Sequence, residues 1–183
     1  MKYGTEVTSW KAIVPNKQII FDADAIISIL SFGQEYIFDD LKNLGANFAY
    51  SHPVLLELMN TNSPSEKLRR SKLLNDHGFL ELPLGQTERN LASQIQKSLP
   101  LKSTPSPTDL YLGSIVAAGH NNEDRFLLTA NLKDFPLPIY TRKGCMLLQN
   151  ETNVKVLSFL CVDKSQLVYD LKVRVKDLSS ISG

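Results

Sequence analysis

The chain lacks any apolar run approaching the roughly 18 residues that a bilayer-spanning helix needs. Residues 1–17 also carry no hydrophobic stretch of the kind that makes a secretory signal. Cysteine is scarce: Cys145 and Cys161 are the only two, with no CxxC pair and no histidine cluster beside them. That argues against a disulfide framework or a zinc site and fits reduced thiols, so the expectation is a soluble cytoplasmic protein with no membrane partner. An excess of one charge is missing too. Lys and Arg number 20 against 19 Asp and Glu, a formal net charge of +1, so any nucleic acid would be met by local patches and not by a global field. No Gly/Ser linker and no internal repeat divides the 183 residues, a length that suits one domain with a sizeable core.

The chain is organised around Gln18-Ile-Ile-Phe-Asp-Ala-Asp-Ala-Ile-Ile-Ser-Ile-Leu30. Residues 19–21 read as a buried strand and residues 25–30 continue at helical spacing, which places Asp22 and Asp24 at a strand-to-helix junction. Residues 25–44 read as one helix or two with a break near Gly33, closed by Gly45. Residues 47–51 alternate as a second strand, and Pro53 opens a helix at a position it tolerates. A basic helix ending near Gly78, a third strand at 79–83 and a helix at 87–99 follow. After a Pro- and Ser-rich loop at 100–107, Ser106 caps a helix with Pro107 at its first position and Asp109 at its third. Residues 125–129 form a fourth strand, 131–138 a turn, and Ile139-Tyr140 a short fifth strand. Residues 154–162 are strand-like, and 165–178 suit either strand or helix.

Strands alternating with helices predict an α/β fold with a mainly parallel central sheet. The expected organisation is an N-terminal extension at 1–17, pinned to the surface through Trp10, a main domain at 18–141, and a C-terminal extension at 142–183 packed on the same domain.

Asp22, Glu57, Asp109 and the pair Asn131 and Asp134 each set an acid or amide against apolar sequence. Each also has a plainer explanation. Asp22 or Asp24 could cap the next helix, and Glu57 could pair with a base at the edge of a buried face. Asp109 could be a capping-box acid, while Asn131 and Asp134 could be turn residues before Phe135-Pro136. Three of these positions nevertheless lie where a parallel sheet brings chain ends together, since Asp22 and Asn131 follow strands and Asp109 starts a helix leading into one. Carboxylates converging there repel by about 4 kcal/mol per pair at 4 Å and an effective dielectric near 20. They must then protonate or hold a cation. Oxygen ligands without Cys or His select Mg²⁺ or Mn²⁺ over zinc, and such a site suits metal-assisted phosphodiester hydrolysis.

Ile19-Ile-Phe-Asp-Ala-Asp-Ala-Ile-Ile27, Pro53-Val-Leu-Leu-Glu57, Asp109-Leu-Tyr-Leu-Gly-Ser-Ile-Val-Ala-Ala118 and Leu127-Leu-Thr-Ala-Asn-Leu-Lys-Asp-Phe135 resemble, in order, the four acidic motifs of the PIN domain family. The resemblance spans residues 18–141. It implies a three-layer α/β/α fold and an Mg²⁺- or Mn²⁺-dependent endoribonuclease, most often the VapC-like toxin of a toxin–antitoxin pair. RNA would then be the substrate, with an antitoxin protein and a second copy of the chain as candidate partners. By position, Asp22, Glu57, Asp109 and Asp134 would be metal-binding carboxylates, Asn131 would join them in catalysis, and Thr129 would support them. Asp24 stands where many members carry Asn, Ser or Thr, and Asn131 where many carry Asp.

Two other readings stay open. Asp22-Ala-Asp24 after an apolar strand also resembles the nucleophile and acid of haloacid-dehalogenase-like phosphatases, although the late acidic motif suits the nuclease better. The chain could also be a catalytically silent PIN-like module that binds RNA or protein. Lys67, Arg69, Arg70, Lys72, Lys97 and Lys102 could neutralise RNA phosphates, with a solvated helix face as the commoner explanation. His52, His77 and His120 stand beside no nucleophile motif and take no catalytic role.

Overall fold

The computed structural model describes residues 10–99, 105–121, 124–136 and 139–167. Its elements run α1 (Trp10–Ile13), β1 (Gln18–Phe21), α2 (Ala23–Ser31), α3 (Tyr36–Asn43), β2 (Asn47–Ser51), α4 (His52–Met59), α5 (Pro64–Asp76) and β3 (Leu80–Leu82). They continue with α6 (Gln86–Ser98), α7 (Pro107–Ala117), β4 (Arg125–Thr129), a 3-10 turn (Leu132–Asp134), β5 (Tyr140–Gln149) and β6 (Val154–Val162).

The strands form one mixed, mostly parallel sheet in the order β3-β2-β1-β4-β6-β5. β1 pairs in parallel with both β2 and β4, and β2 with β3, whereas β6 pairs antiparallel with β4 and β5. The chain steps outward from β1 to β2 and β3, then returns to the other side of β1 as β4. The strand order therefore reverses between β1 and β4, and open α/β sheets leave a crevice at the carboxyl ends of such strands. Ile19, Ile20, Phe21, Phe126, Leu127 and Leu128 are buried on these central strands, as expected for strands covered on both faces. Phe21, Phe38, Phe48 and Phe79 interlock beside β1 and β2 with ring centroids 5.0–6.0 Å apart. That aromatic cluster holds the first half of the sheet against α3.

The structure decides among several sequence expectations and extends one of them. Residues 25–44 are two helices, because Gly33 adopts φ +67° and turns the chain between α2 and α3. Gly45 takes φ +78° after α3 as a glycine cap requires. Trp10 stacks on buried Phe159 with centroids 6.5 Å apart, the pin expected of the N-terminal segment, while residues 1–9 lie outside the described residues. The short strand expected at Ile139-Tyr140 is a ten-residue strand, Tyr140–Gln149. Its register against β6 shifts between Arg142 and Gly144, and that irregularity obscures the alternation that resumes with buried Met146 and Leu148. Residues 164–167 are helical; the remainder of the 165–178 segment and residues 100–104 lie outside the described residues.

Candidate functional site

Asp22 is the residue that immediately follows β1, and its amide still donates to Leu128 O at 3.1 Å, so the β1–β4 ladder carries it to the carboxyl end of the central strands. It occupies the N-cap of α2 in an extended conformation, yet its side chain makes no capping hydrogen bond. Its carboxylate instead accepts from Thr129 Oγ1 at 2.7 Å across the sheet. Thr129 is fixed in turn, because its oxygen accepts the Asn131 amide at 3.0 Å. Asp22 is only 7% exposed. Burial pushes its carboxyl up to about 6; the Thr129 hydrogen bond opposes that rise, and the charges of Asp109, Asp24 and Glu57 add to it. The helix-cap explanation for Asp22 is therefore replaced by a cross-strand one. Asp109, 87 residues further along the chain, acts on the same carboxyl.

Asp109 does what a capping box asks. Its Oδ2 accepts from Ser106 N at 2.9 Å and Ser106 Oγ at 2.5 Å, while Ser106 Oγ accepts the Asp109 amide at 3.2 Å. Burial raises its carboxyl above the ordinary range, the Ser106 hydrogen bonds pull it back, and the charge of Asp134 raises it again. Asn131 Nδ2 donates to Asp134 Oδ2, joining the last two candidates across the 3-10 turn. Glu57, on α4, is exposed; its field reaches Asp22, and it has no basic partner among the described residues. Asp24 is paired away from Asp22, since Lys155 of β6 donates to its Oδ1 at 2.8 Å. His52 holds Glu81 of β3 at 3.0 Å, outside the acidic group.

Among the described residues no group of three or more His, Cys, Asp or Glu side chains is arranged to hold a metal ion. The acids thus share a field but not a ready-made nest. The basic face of α5 is largely satisfied by its own surroundings: Arg69 pairs with Glu35 and Glu66, Arg70 with Glu66, and Lys72 with Asp76. Lys102 lies outside the described residues.

The sequence reading missed three neighbours of this site. Tyr140 is buried, and burial together with the Asp109 charge raises its phenol above the usual range. Lys155 lies in the strand expected at 154–162, but its contact with Asp24 joins residues 131 apart that no local pattern pairs. Ser51, at the end of β2, is fully buried with an unpartnered hydroxyl; the only signal available was a serine at a strand end two residues before Pro53.

The fold defines a mixed α/β protein whose topological switch point carries a buried acid, Asp22, under the charges of Asp109, Asp24 and Glu57. No family model matches the chain, no curated protein matches it, and no solved structure matches it. Among the described residues no helix is long and apolar enough to cross a membrane.

Proposed function

We propose that the chain is a divalent-metal-dependent endoribonuclease with a PIN-like, three-layer α/β/α organisation. The observation that carries this reading is Asp22: a buried carboxyl at the switch point, raised to about 6, gripped by Thr129 and subject to the charges of Asp109 and Glu57. Structural acids are ordinarily paired with bases, and acids gathered without one gain by sharing a cation. Right-handed crossovers would put α2 to α5 on one face of the sheet and α6 and α7 on the other, which suits the three-layer arrangement.

The donor chemistry fits Mg²⁺ or Mn²⁺. All the candidates are oxygens, and Mg²⁺ is commonly held by one or two carboxylates with water completing its shell. A three-carboxylate nest is thus not required. Asp22 would be the principal ligand, with Glu57, Asp109 and Asp134 the other carboxylates of the set. The ion, when bound, would supply a water-derived nucleophile and charge stabilisation at the phosphate. Thr129 holds the Asp22 carboxylate in one orientation, Asn131 orients Asp134, and Ser106 holds Asp109. The toxin setting rests on the family resemblance alone; its test is arrested growth on induction, relieved by Asp22→Asn, and rescue by an adjacently encoded antitoxin.

The direct test is cleavage of labelled single-stranded RNA by the purified chain. Activity that requires Mg²⁺ or Mn²⁺, stops with EDTA and disappears in Asp22→Asn and Asp109→Asn supports the proposal. A specific observation favours a second reading, a silent RNA- or protein-binding module: Asp109 is engaged by Ser106 as an ordinary helix cap. Absence of cleavage across varied RNAs, with retained binding, would establish that alternative.

A further inference from the structure

The sheet register places one more side chain beside Asp22. Ile20 is aligned with Ala49 on β2 and with Leu127 on β4. The β1–β2 pairing ends at Ile20 and Ala49; continued two residues further, the same register would set Asp22 level with Ser51 on one side, as it is with Thr129 on the other. Side chains aligned across neighbouring strands share a face of the sheet, with strands about 4.8 Å apart. Asp22 is therefore flanked by a hydroxyl on each neighbouring strand. Thr129 uses its hydroxyl on the Asp22 carboxylate, whereas Ser51, with 0% exposure, leaves Oγ without any partner.

The local structure leaves the Ser51 hydroxyl without a partner, although the Val54 amide lies at the third helical position. Ser51 is the N-cap of α4, where a serine hydroxyl ordinarily accepts from the second or third helical amide. The second residue is Pro53, which has no N–H, and no side-chain cap hydrogen bond forms. A buried hydroxyl left unpaired is costly, so a group that can pair with it belongs at this place. Its neighbour across the ladder is an acidic carboxyl, which makes a hydrated cation the fitting occupant and an anion an unfitting one.

Building on the nuclease reading, we propose that Ser51 is a further member of the site, its hydroxyl accepting a hydrogen bond from a water of the divalent cation held at Asp22. Ser51 then acts as an outer-sphere positioning residue, and Thr129 and Ser51 hold the carboxylate and the ion's hydration shell from opposite strands. Outer-shell partners of this kind change metal affinity by about 10- to 100-fold when removed.

The test is Mn²⁺ titration of the full-length chain, followed by the electron paramagnetic resonance signal of free Mn²⁺, in wild type, Asp22→Asn, Ser51→Ala and Ser51→Gly. Circular dichroism checks that each variant is folded. Wild type is expected to bind, Asp22→Asn to lose binding, and both Ser51 variants to bind about tenfold more weakly. Unchanged affinity in the Ser51 variants, with binding lost in Asp22→Asn, overturns the role of Ser51 and leaves the nuclease reading standing. A loss in Ser51→Gly well beyond that in Ser51→Ala assigns the effect to packing and also overturns it. Wild type that binds no Mn²⁺ overturns both.

Discussion

Asp22 carries a cost in the fold that its neighbours only partly relieve. Its folded-state carboxyl titrates near 6, above the ordinary value of 3.8, so the folded chain binds this proton more tightly than the unfolded one. The sign follows from linkage: without metal, protonation stabilises the fold as pH falls from above 6 toward 4, and above 6 the ionised carboxylate exerts its full penalty. About two units at 1.36 kcal/mol each sets that penalty on the order of 2–3 kcal/mol. Asp22→Asn in EDTA is therefore expected to be more stable than wild type by about 2 kcal/mol at pH 7.5. Thermal unfolding across pH should show the gap closing by pH 4, where both side chains are neutral. The same substitution should abolish cleavage, so a gain in stability would accompany the loss of activity. Thr129→Val keeps the side-chain shape but removes the donor to Asp22 and the acceptor for the Asn131 amide. It should cost about 1–3 kcal/mol in chemical denaturation and move the acidic limb of cleavage to higher pH.

Helix α7 shows how one element ties the site to the core. Its first turn is fixed by the Ser106–Asp109 box, and four residues beyond Asp109 its surface is small because it must be. A Cβ on Gly113 would collide with Tyr140 Oη and come within 3.0 Å of Tyr140 Cζ. Gly113→Ala should therefore destabilise by about 1–3 kcal/mol through overpacking. Tyr140→Phe in the same chain should recover part of that loss, and a double-mutant cycle in urea measures the coupling. Much of this element was legible beforehand. Ser106, Pro107 and Asp109 announce a capped helix by residue type, β1 and β4 declare themselves by apolar runs, and β2 by its alternation. The close approach of Gly113 to Tyr140 was not legible, because it joins residues on elements whose packing no local pattern encodes. The hydrogen bond from Thr129 to Asp22 spans 107 residues of sequence; order of motifs suggested the neighbourhood, and only the ladder register supplied the pair. β5 escaped for a local reason, since its register shift near Gly144 breaks the two-residue rhythm by which strands are recognised.

At the scale of the whole molecule, the two last strands close the side of the sheet on which the site is built. β6 pairs with β4 through Leu127, Leu128 and Thr129, the residues that lead to Asp22's hydrogen-bond partner. Leu157, Phe159, Leu160, Val162, Met146 and Leu148 bring buried apolar surface from β5 and β6 into the common core, and Lys155 neutralises Asp24 beside the crevice. A chain ending at residue 141 would retain all four acidic motifs but turn β4 from an interior strand into an unpaired edge. Fully burying one such large apolar side chain is worth about 1.5–3 kcal/mol, and several are lost together, against a total stability of about 5–15 kcal/mol for a domain. The truncated chain should therefore lack a cooperative thermal transition by circular dichroism and elute as an expanded or aggregated species on size exclusion. It should also fail to cleave RNA despite keeping Asp22, Glu57, Asp109, Asn131 and Asp134. A folded, active 1–141 fragment would mean that the acidic crevice is supported by the first four strands alone.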